Sequence, residues 1–144
     1  MRKDSGFTLI ELMVVIGIVA ILAVPVVPNL IGWLPKYRVG NATRDLMSAV
    51  EFARLQAIRE NADVEVNLDY VNESVTVVNT AGNTLRRIQY QSGIDLIDSG
   101  LGALLQFDGR GFANTSGLVT VGHAMDATLS RNVIVTLAGN ASIQ

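Results

Sequence analysis

The stretch that decides the fold is residues 6–15, which read GFTLIELMVV, an apolar run that contains a single carboxylate. The chain stays almost wholly apolar to Val24, and the apolar character resumes through Ile31. A helix needs about 20 apolar residues to cross the hydrocarbon layer of a bilayer. The sequence therefore predicts a membrane-spanning helix over residues 7–35, joined to an ordinary folded domain.

The residues before the apolar run are polar and basic. Residues 1–6 read MRKDSG and carry Arg2 and Lys3. Because the cytoplasmic flanks of membrane helices are rich in Lys and Arg, we expect the N-terminus in the cytoplasm and the rest of the chain outside. A cleaved secretory signal is disfavoured, since no site of the A-x-A kind ends the run near residues 20–28.

Glu11 is the feature that a plain membrane anchor leaves unexplained. An acidic side chain at the centre of a membrane helix costs about 2.5–3.5 kcal/mol on insertion scales, and less near the end of the helix. Such a residue is by default a functional group that needs a partner. The alternative is that Glu11 lies in the headgroup zone and is simply solvated, and its position alone leaves both interpretations open.

The segment as a whole resembles the processing motif of type IV prepilins and type II secretion pseudopilins. The matching features are a basic leader, the Gly6–Phe7 junction and a Glu four residues beyond the Phe. The resemblance implies that a membrane aspartic peptidase, the prepilin peptidase, cuts between Gly6 and Phe7 and that Phe7 is then N-methylated. Residues 1–6 would be the leader. Residues 7–35 would remain as the membrane anchor and later form the core of a filament.

The resemblance also implies assembly roles for Glu11 and Pro28. Since an unpaired charge is costly in an apolar setting, the new amine of Phe7 is expected to pair with Glu11 of a neighbouring subunit and so fix the axial register. Pro25 and Pro28 each remove a backbone donor, which kinks or breaks a helix. They either mark the exit from the membrane or let the helix melt locally as subunits pack, and the two roles are not exclusive.

A second helix pattern follows the apolar segment. Trp33 and Tyr37 suit an aromatic belt at the outer membrane interface. From Lys36 to Glu60, apolar residues recur at three- and four-residue spacing, which predicts an amphipathic helix with one buried stripe. The stripe consists of Val39, Ala42, Leu46, Ala49, Val50, Ala53 and Ala57.

The rest of the chain carries strand patterns. Residues 64–70 alternate apolar and polar side chains, as a half-buried strand does. Turn signals separate it from later short strands. Those strands are predicted at residues 75–78, 85–90, 104–107, 117–121 and 131–137. The predicted fold is α+β and pilin-like, with a long N-terminal helix whose amphipathic half packs against an antiparallel β-sheet in a head of residues 36–144.

The head resembles the GspH/FimT group of minor pseudopilins. The matching segments are residues 53–61, which resemble the ARxxAI helix end of that group, the hairpin at 107–111 and the closing strand at 133–139. The chain departs from the group because it lacks a late cysteine and because residues 140–144 contain no basic side chain. The resemblance implies a minor pilin or pseudopilin that initiates or caps a filament, a structural protein and not an enzyme.

Residues that could carry catalysis or bind a metal are few. Cysteine is absent and His123 is the only histidine, which excludes disulfides and thiolate zinc sites. We expect His123 in one loop and Asp95 and Asp98 in another, where two carboxylates fall short of the roughly six to eight oxygens that calcium takes. The sequence therefore predicts no catalytic residue, no metal site and no cofactor.

The expected partners are other pilin or pseudopilin subunits, the prepilin peptidase and the bacterial inner membrane. The chain is expected to cross that membrane once with its head in the periplasm, and then to enter a periplasmic or extracellular filament. The net charge of −2 disfavours nucleic acid as a partner. The alternatives are a major pilin and a pilus-borne subunit for DNA binding or adhesion. The tip-most pseudopilin typically lacks the glutamate, so Glu11 favours a place just below the tip.

Overall fold

A computed structural model describes residues 7–23 and 26–144 of the chain. The chain divides into two compact units, Met1–Leu34 and Pro35–Gln144. Gly6, and with it the predicted cleavage junction, lies outside the described residues.

The N-terminal unit holds helix α1, Leu9–Ala23, and the beginning of helix α2, Val26–Glu60. All residues from Phe7 to Leu22 are exposed to solvent. The sequence predicts one membrane helix over residues 7–35. Within residues 7–23 and 26–144, no helix combines the length and the apolar character needed to cross a membrane.

Prolines occur inside α2. Pro28 is its third residue, in the first turn, where the backbone donors have no acceptor within the helix. A proline is tolerated there, so the helix continues through Pro28 and does not break at it. Pro35 also lies inside α2, whereas Pro25 lies outside the described residues.

The second unit is organised around the remainder of α2. The seven residues of the predicted apolar stripe are each at most 4% exposed, which confirms the amphipathic pattern. The helix ends at Glu60, and Asn61 follows it with a φ of 47°. The amides of Asn61 and Ala62 donate to the carbonyls of Ile58 and Ala57, which satisfies acceptors at the end of the helix.

Eight strands follow α2 in two antiparallel four-stranded sheets. The first sheet has the order β3-β2-β1-β5, and the second has the order β4-β6-β7-β8. The strands are β1 (Val64–Asp69), β2 (Ser74–Asn79), β3 (Thr84–Gln89), β4 (Ile94–Asp98), β5 (Leu104–Phe107), β6 (Gly117–His123), β7 (Asp126–Val135) and β8 (Ala141–Ile143).

The core lies where the inner faces of the sheets meet the buried stripe of α2. Val66 is opposite Val77 on one neighbouring strand and opposite Leu105 on the other, and all three side chains are fully buried. Val119 of β6 and Val133 of β7 are paired in the second sheet and are equally buried. The alternation of buried and exposed residues along β1 confirms the half-buried strand that the sequence predicts.

Two sequence predictions about loops are wrong. Asp95 and Asp98 lie on β4, not in a loop, and His123 is the last residue of β6, where it pairs with Asp126 of β7. In β4 only Ile94 and Leu96 are buried, and the flanking glycines and serines hide so short an alternation.

The remaining differences concern β7 and β8. β7 begins at Asp126, five residues before the predicted start at residue 131. Its first half is mostly exposed on both faces, so alternation gives no signal there. The sequence does not predict strand β8, which has only three residues.

Candidate assembly site

The beginning of α1 carries a reciprocal capping arrangement between Thr8 and Glu11. Thr8 immediately precedes the helix, and Glu11 is its third residue. The Thr8 amide and hydroxyl both donate to Oε2 of Glu11, at 3.1 and 3.2 Å, and the Glu11 amide donates to the Thr8 hydroxyl at 3.3 Å. This is a capping box, in which the carboxylate satisfies a backbone donor that the helix cannot satisfy.

The capping box leaves part of the Glu11 carboxylate available. Both bonds from Thr8 reach Oε2, and within the described residues Oε1 receives no hydrogen bond. The positive end of the helix dipole favours a carboxylate at this position. Phe7 precedes Thr8 and is 87% exposed. One oxygen of Glu11 can therefore accept a donor from outside the chain while the other holds the helix start.

A second candidate surface lies where the GspH-like segments meet at the end of α2. Arg54 is half-buried; its Nε donates to the carbonyl of Gly111 at 3.1 Å, and its Nη1 donates to Asn140 at 2.9 Å. One side chain thus holds the turn after β5 and the segment between β7 and β8 against the helix. Arg54 is not one of the residues of the predicted apolar stripe, and the sequence offers no signal for its partners.

Glycines make this close approach possible. Gly139 has a φ of 79°, and a Cβ there would collide with the carbonyl oxygen of Gly111. Gly111 has a φ of 84°, and a Cβ there would lie 2.6 Å from Ile58. Only glycine adopts such a backbone conformation without strain. Gly111 and Gly139 are the last residues of two segments that resemble the GspH/FimT group, 107–111 and 133–139. They are therefore contact points between the turn after β5, the segment after β7 and α2.

Asp108 organises the turn after β5. Its Oδ1 accepts the amides of Arg110 and Phe112 at 2.9 Å, and its Oδ2 forms an ion pair with Arg110 at 2.9 Å. The hydrogen bond from the Phe112 amide lowers the pKa of Asp108 below its ordinary value, and the contacts with Arg110 lower it further. The hairpin that the sequence predicts at 107–111 is thus present, and an Ala113 bridge to Phe107 closes it.

Glu73 links the two sheets and was missed by sequence reasoning. It lies in the turn between β1 and β2 with a φ of 50°, and its Oε2 accepts the amide of Leu96 on edge strand β4 at 2.5 Å. Burial raises the pKa of Glu73, the Leu96 amide opposes that rise, and Asp95 and Asp69 add to it. Sequence alone offers no signal for a contact between distant segments.

The acidic residues do not assemble into a larger site. Asp98 Oδ1 accepts the amides of Gly100 and Gly102, and these bonds lower the pKa of Asp98. Across residues 7–23 and 26–144, no three His, Cys, Asp or Glu side chains lie close enough together to hold a metal ion.

Two protein-family models match this chain, one at its N-terminal segment and the other in the unit that follows. A model described as the prokaryotic N-terminal methylation motif matches residues 1–27. A model described as type II transport protein GspH matches residues 42–139, more than half of the chain. The chain belongs to the GspH family.

Solved structures show the same fold for this GspH family member. The type IV minor pilin FimU of Pseudomonas aeruginosa has a TM-score of 0.64 at 14% identity, over 74% of this chain and 87% of that chain. The minor pseudopilin EpsH of Vibrio cholerae has a TM-score of 0.62 at 13% identity, over 74% of this chain and 96% of that chain. The α+β pilin-like fold class is therefore confirmed, with strands in two sheets and helical residues divided between α1 and α2.

Curated relatives share shorter segments with this GspH family member. The type IV wide pilus major component PilA4 of Thermus thermophilus is 42% identical over 62 residues, 43% of this chain and 47% of that protein. Type II secretion system core protein G of Vibrio cholerae is 50% identical over 48 residues, 33% of each protein. The chain thus spans about half, or a third, of the length of these relatives. The predicted membership of the pilin and pseudopilin group is confirmed by the family models and the fold.

Proposed function

We propose that this chain is a minor pilin or pseudopilin, a structural subunit that initiates or caps a type II secretion pseudopilus or a type IV pilus. The observation that carries the proposal is the surface of α1. Phe7 is 87% exposed, Leu9 77% and Ile21 74%, and the large apolar side chains between Leu9 and Ile21 are all more than half exposed. Such a surface is unfavourable in water, so it requires a cover of lipid or of other apolar helices.

Glu11 would fix the axial register between neighbouring subunits that pack through this apolar surface. A prepilin peptidase would cut between Gly6 and Phe7 and leave a cationic amine, which is then N-methylated. The amine of one subunit would pair with Oε1 of Glu11 on its neighbour, while Oε2 keeps its contacts to Thr8. Because each charge is costly when unpaired in apolar surroundings, one axial register is favoured over its neighbours.

The chain would occupy two environments in turn, first the membrane and then the filament. Before assembly, the apolar N-terminal region would hold it in the bacterial inner membrane, with residues 36–144 in the periplasm. During assembly the same region would pack with other pilin-like subunits, and Pro28 would let the helix adjust there. The likeness in fold to FimU and EpsH, which are minor subunits by description, supports the minor role.

Two measurements test the proposal. Intact mass of the chain from a host with a prepilin peptidase should correspond to a product that begins at a methylated Phe7. A product that still begins at Met1, or one cut beyond Ala20, contradicts the processing step. Quantitative mass spectrometry of purified filaments should then find the chain at low abundance relative to the shaft subunit.

A major pilin is the second candidate. The likeness to PilA4 and to core protein G, at 42% and 50% identity, favours it, although each covers less than half of this chain. The same mass spectrometry separates the two, because a dominant subunit along the shaft is a major pilin. A DNA-binding role finds no support in the net charge of −2.

A further inference from the structure

The turn between β6 and β7 presents an apolar side chain to solvent. His123 pairs with Asp126 across this turn, so Ala124 and Met125 form a two-residue hairpin connection. Met125 is 92% exposed, more than Phe7 at the start of the apolar N-terminal segment. Connections of this length are usually made of Asn, Asp and Gly, which suit both the turn and water. The geometry of the turn therefore gives no reason for a methionine.

Hydrogen bonds hold this turn in place. We call residues 124–127 the hairpin tip, and all four are exposed. The Ala124 amide donates to the Gly93 carbonyl at 3.1 Å, and the Met125 amide donates to Nδ1 of His123 at 3.3 Å. Met125 is therefore carried by an ordered turn.

Asp126 places the hairpin tip near the first residues of the head. Hydrogen bonds from Thr128 lower the pKa of Asp126, and the nearby positive charges of His123 and Lys36 lower it further. An effect of this kind weakens with distance, so Lys36 is close to the tip. The compact unit that forms the head begins at Pro35. The tip thus lies at the end of the head that the apolar N-terminal segment enters.

The length of β7 agrees with that position. Beyond the far end of the strand, Asn140 accepts a hydrogen bond from Arg54 at 2.9 Å. Lys36 and Arg54 are about 27 Å apart along the helix, and the ten residues of β7 span about 30 Å. β7 therefore runs alongside α2 from Lys36 towards Arg54. Leu137, which is 56% exposed, lies near the far end.

The part of α2 beside the hairpin tip is basic. Its charged residues between positions 32 and 44 are Lys36, Arg38 and Arg44, all exposed, and the first acid is Asp45. Cations near a membrane surface attract anionic lipid headgroups, and apolar side chains enter the boundary between headgroups and acyl chains. Exposed cations beside an exposed methionine match both layers. A bilayer is also the surface that this end of the head meets first, since the apolar segment ends there.

We propose that the hairpin tip is a second membrane contact, which inserts Met125 into the lipid surface while Lys36 and Arg38 lie among the headgroups. Methionine suits such a place because its side chain is flexible and apolar. The inference rests on the proposed function, and it adds a lipid contact made by the head itself.

A second contact restricts how the head moves before assembly. A single helix anchor leaves the head free to turn about the helix axis, whereas two attachment points separated on the surface do not. The same face of the head is then presented to an incoming subunit. Entry into a filament removes Met125 from the lipid, so the contact belongs to the membrane stage alone.

A fluorescent label on a single cysteine tests the contact, because the chain contains no cysteine. The full chain with Met125→Cys carries an environment-sensitive dye and is placed in bilayer discs of phosphatidylethanolamine and phosphatidylglycerol. Nitroxide groups on the lipids, near the headgroups, quench a label that touches lipid. Iodide in the buffer quenches a label that is in water. Ile18→Cys, in the predicted membrane helix, is the reference for lipid, and Leu137→Cys is the reference for water.

We expect the label at Met125→Cys to lose fluorescence to the nitroxide lipids and to be protected from iodide. Its emission should be shifted to the blue relative to the label at Leu137→Cys, which should respond to iodide alone. Both positions are exposed in the head, so the contrast reports their distance from the bilayer and not their burial in the protein. Circular dichroism of each labelled chain checks that the fold is retained.

Substitution of Met125 gives an independent measurement. The label is moved to Ala127→Cys, in the hairpin tip, and Met125 is left, replaced by leucine or replaced by aspartate. Met125→Leu keeps an apolar side chain and should keep the quenching by nitroxide lipids. Met125→Asp puts a charge at the lipid boundary and should abolish it. Equal quenching in all three chains would show that Met125 does not hold the tip in the lipid.

The outcomes separate this inference from the proposed function. If the label at Ile18→Cys is quenched by lipid and the label at Met125→Cys behaves like that at Leu137→Cys, the hairpin contact is wrong and the proposed function stands. If the label at Ile18→Cys is itself in water, the membrane stage of the proposed function fails and this inference fails with it.

Discussion

Thr8 and Glu11 are joined by three hydrogen bonds across the first turn of α1, of which the Glu11 carboxylate accepts two and the Thr8 hydroxyl accepts one. The arrangement gives Glu11 a role inside its own chain, in addition to the pairing with a neighbour that we propose. The capping contacts depend on an acceptor at Oε2, whereas the pairing depends on negative charge. Substitutions can therefore separate the two roles.

Glu11→Gln should be processed and held in the membrane but should enter filaments poorly. Glutamine can occupy the same place in a capping box, so the helix start is kept, while the charge that matches the Phe7 amine is lost. Glu11→Leu removes both the charge and the acceptor and should be no better. The measurement is the ratio of the chain in sheared filaments to the chain in membranes.

Thr8→Val is the matched control for that experiment. It weakens the cap by about 1 kcal/mol and keeps the carboxylate, so incorporation should stay near the wild-type level. If Glu11→Gln enters filaments as well as wild type, charge pairing is wrong. If Thr8→Val fails as badly as Glu11→Gln, the helix start and not the charge governs assembly.

A truncated chain that begins at Lys36 should be a soluble, folded α+β domain. The compact unit that contains it begins at Pro35, and the buried stripe of α2 packs within that unit. Circular dichroism should show helix and strand, and addition of EDTA should leave the spectrum and the thermal midpoint unchanged. A disordered spectrum would contradict the division of the chain.

The sequence predicts those parts of the fold that repeat a pattern. The stripe of α2 and the alternation in β1 extend over enough residues for burial on one face to show in the order of side chains. In β4 the neighbouring glycines and serines obscure the alternation, which is why the sequence predicts a loop for Asp95 and Asp98. β8 has only three residues, too few for a pattern. The Phe7–Glu11 motif was recognised by resemblance, and its proposed role depends on a neighbour outside this chain.

The contacts that fix one segment against another were not predictable. Arg54 bonds Gly111 and Asn140, which lie 57 and 86 residues away along the chain. Glu73 reaches Leu96 across the gap between the sheets. Local patterns carry no information about such pairs, because the partners are set by how whole elements pack.

Gly139→Ala should destabilise the head far more than Gly82→Ala. Both glycines have nearly the same φ, 79° and 80°, so the conformational strain of an alanine, about 1–2 kcal/mol, is common to both. A Cβ at Gly82 meets nothing within 4 Å, whereas a Cβ at Gly139 collides with Gly111. We expect Gly139→Ala to lower the free energy of unfolding by about 3 kcal/mol or more. Urea unfolding of the truncated chain measures both, and equal losses would show that the contact between the loops contributes nothing.

Tyr90→Phe should leave stability unchanged or raise it. Tyr90 is 8% exposed, and its hydroxyl has no hydrogen-bond partner in the described part of the chain. Burial raises the pKa of Tyr90, and the charge of Asp45 raises it further. Removal of an unsatisfied buried hydroxyl gains up to about 1 kcal/mol. Tyr70→Phe is the control, since the Tyr70 hydroxyl donates to the Gly102 carbonyl at 2.8 Å and its loss should cost about 1 kcal/mol. A clear loss for Tyr90→Phe would mean that this hydroxyl has a partner in solution.

Glu73→Gln should stabilise the head at neutral pH, and its advantage should disappear on acidification. The pKa of Glu73 is raised above its ordinary value of 4.5, chiefly by burial, so the folded state holds this proton more tightly than the unfolded state does. Stability therefore falls as pH rises from 4.5 through the folded pKa, because the unfolded chain releases the proton first. Glutamine carries no charge and still offers an oxygen to the Leu96 amide.

Four aspartates titrate outside that window. The pKa values of Asp69, Asp98, Asp108 and Asp126 are lowered from 3.8, so their stabilising contributions are lost only as pH falls below that value. The free energy of unfolding of the truncated chain is measured in urea at pH 7.5 and near pH 4.5. Glu73→Gln should exceed wild type in this free energy at pH 7.5 and equal it near pH 4.5. Glu51→Gln, on the exposed face of α2, is the control for loss of one carboxylate and should follow wild type at both values. A gap that persists at the lower pH would show that the amide stabilises the link to β4 by geometry and not by removal of a buried charge.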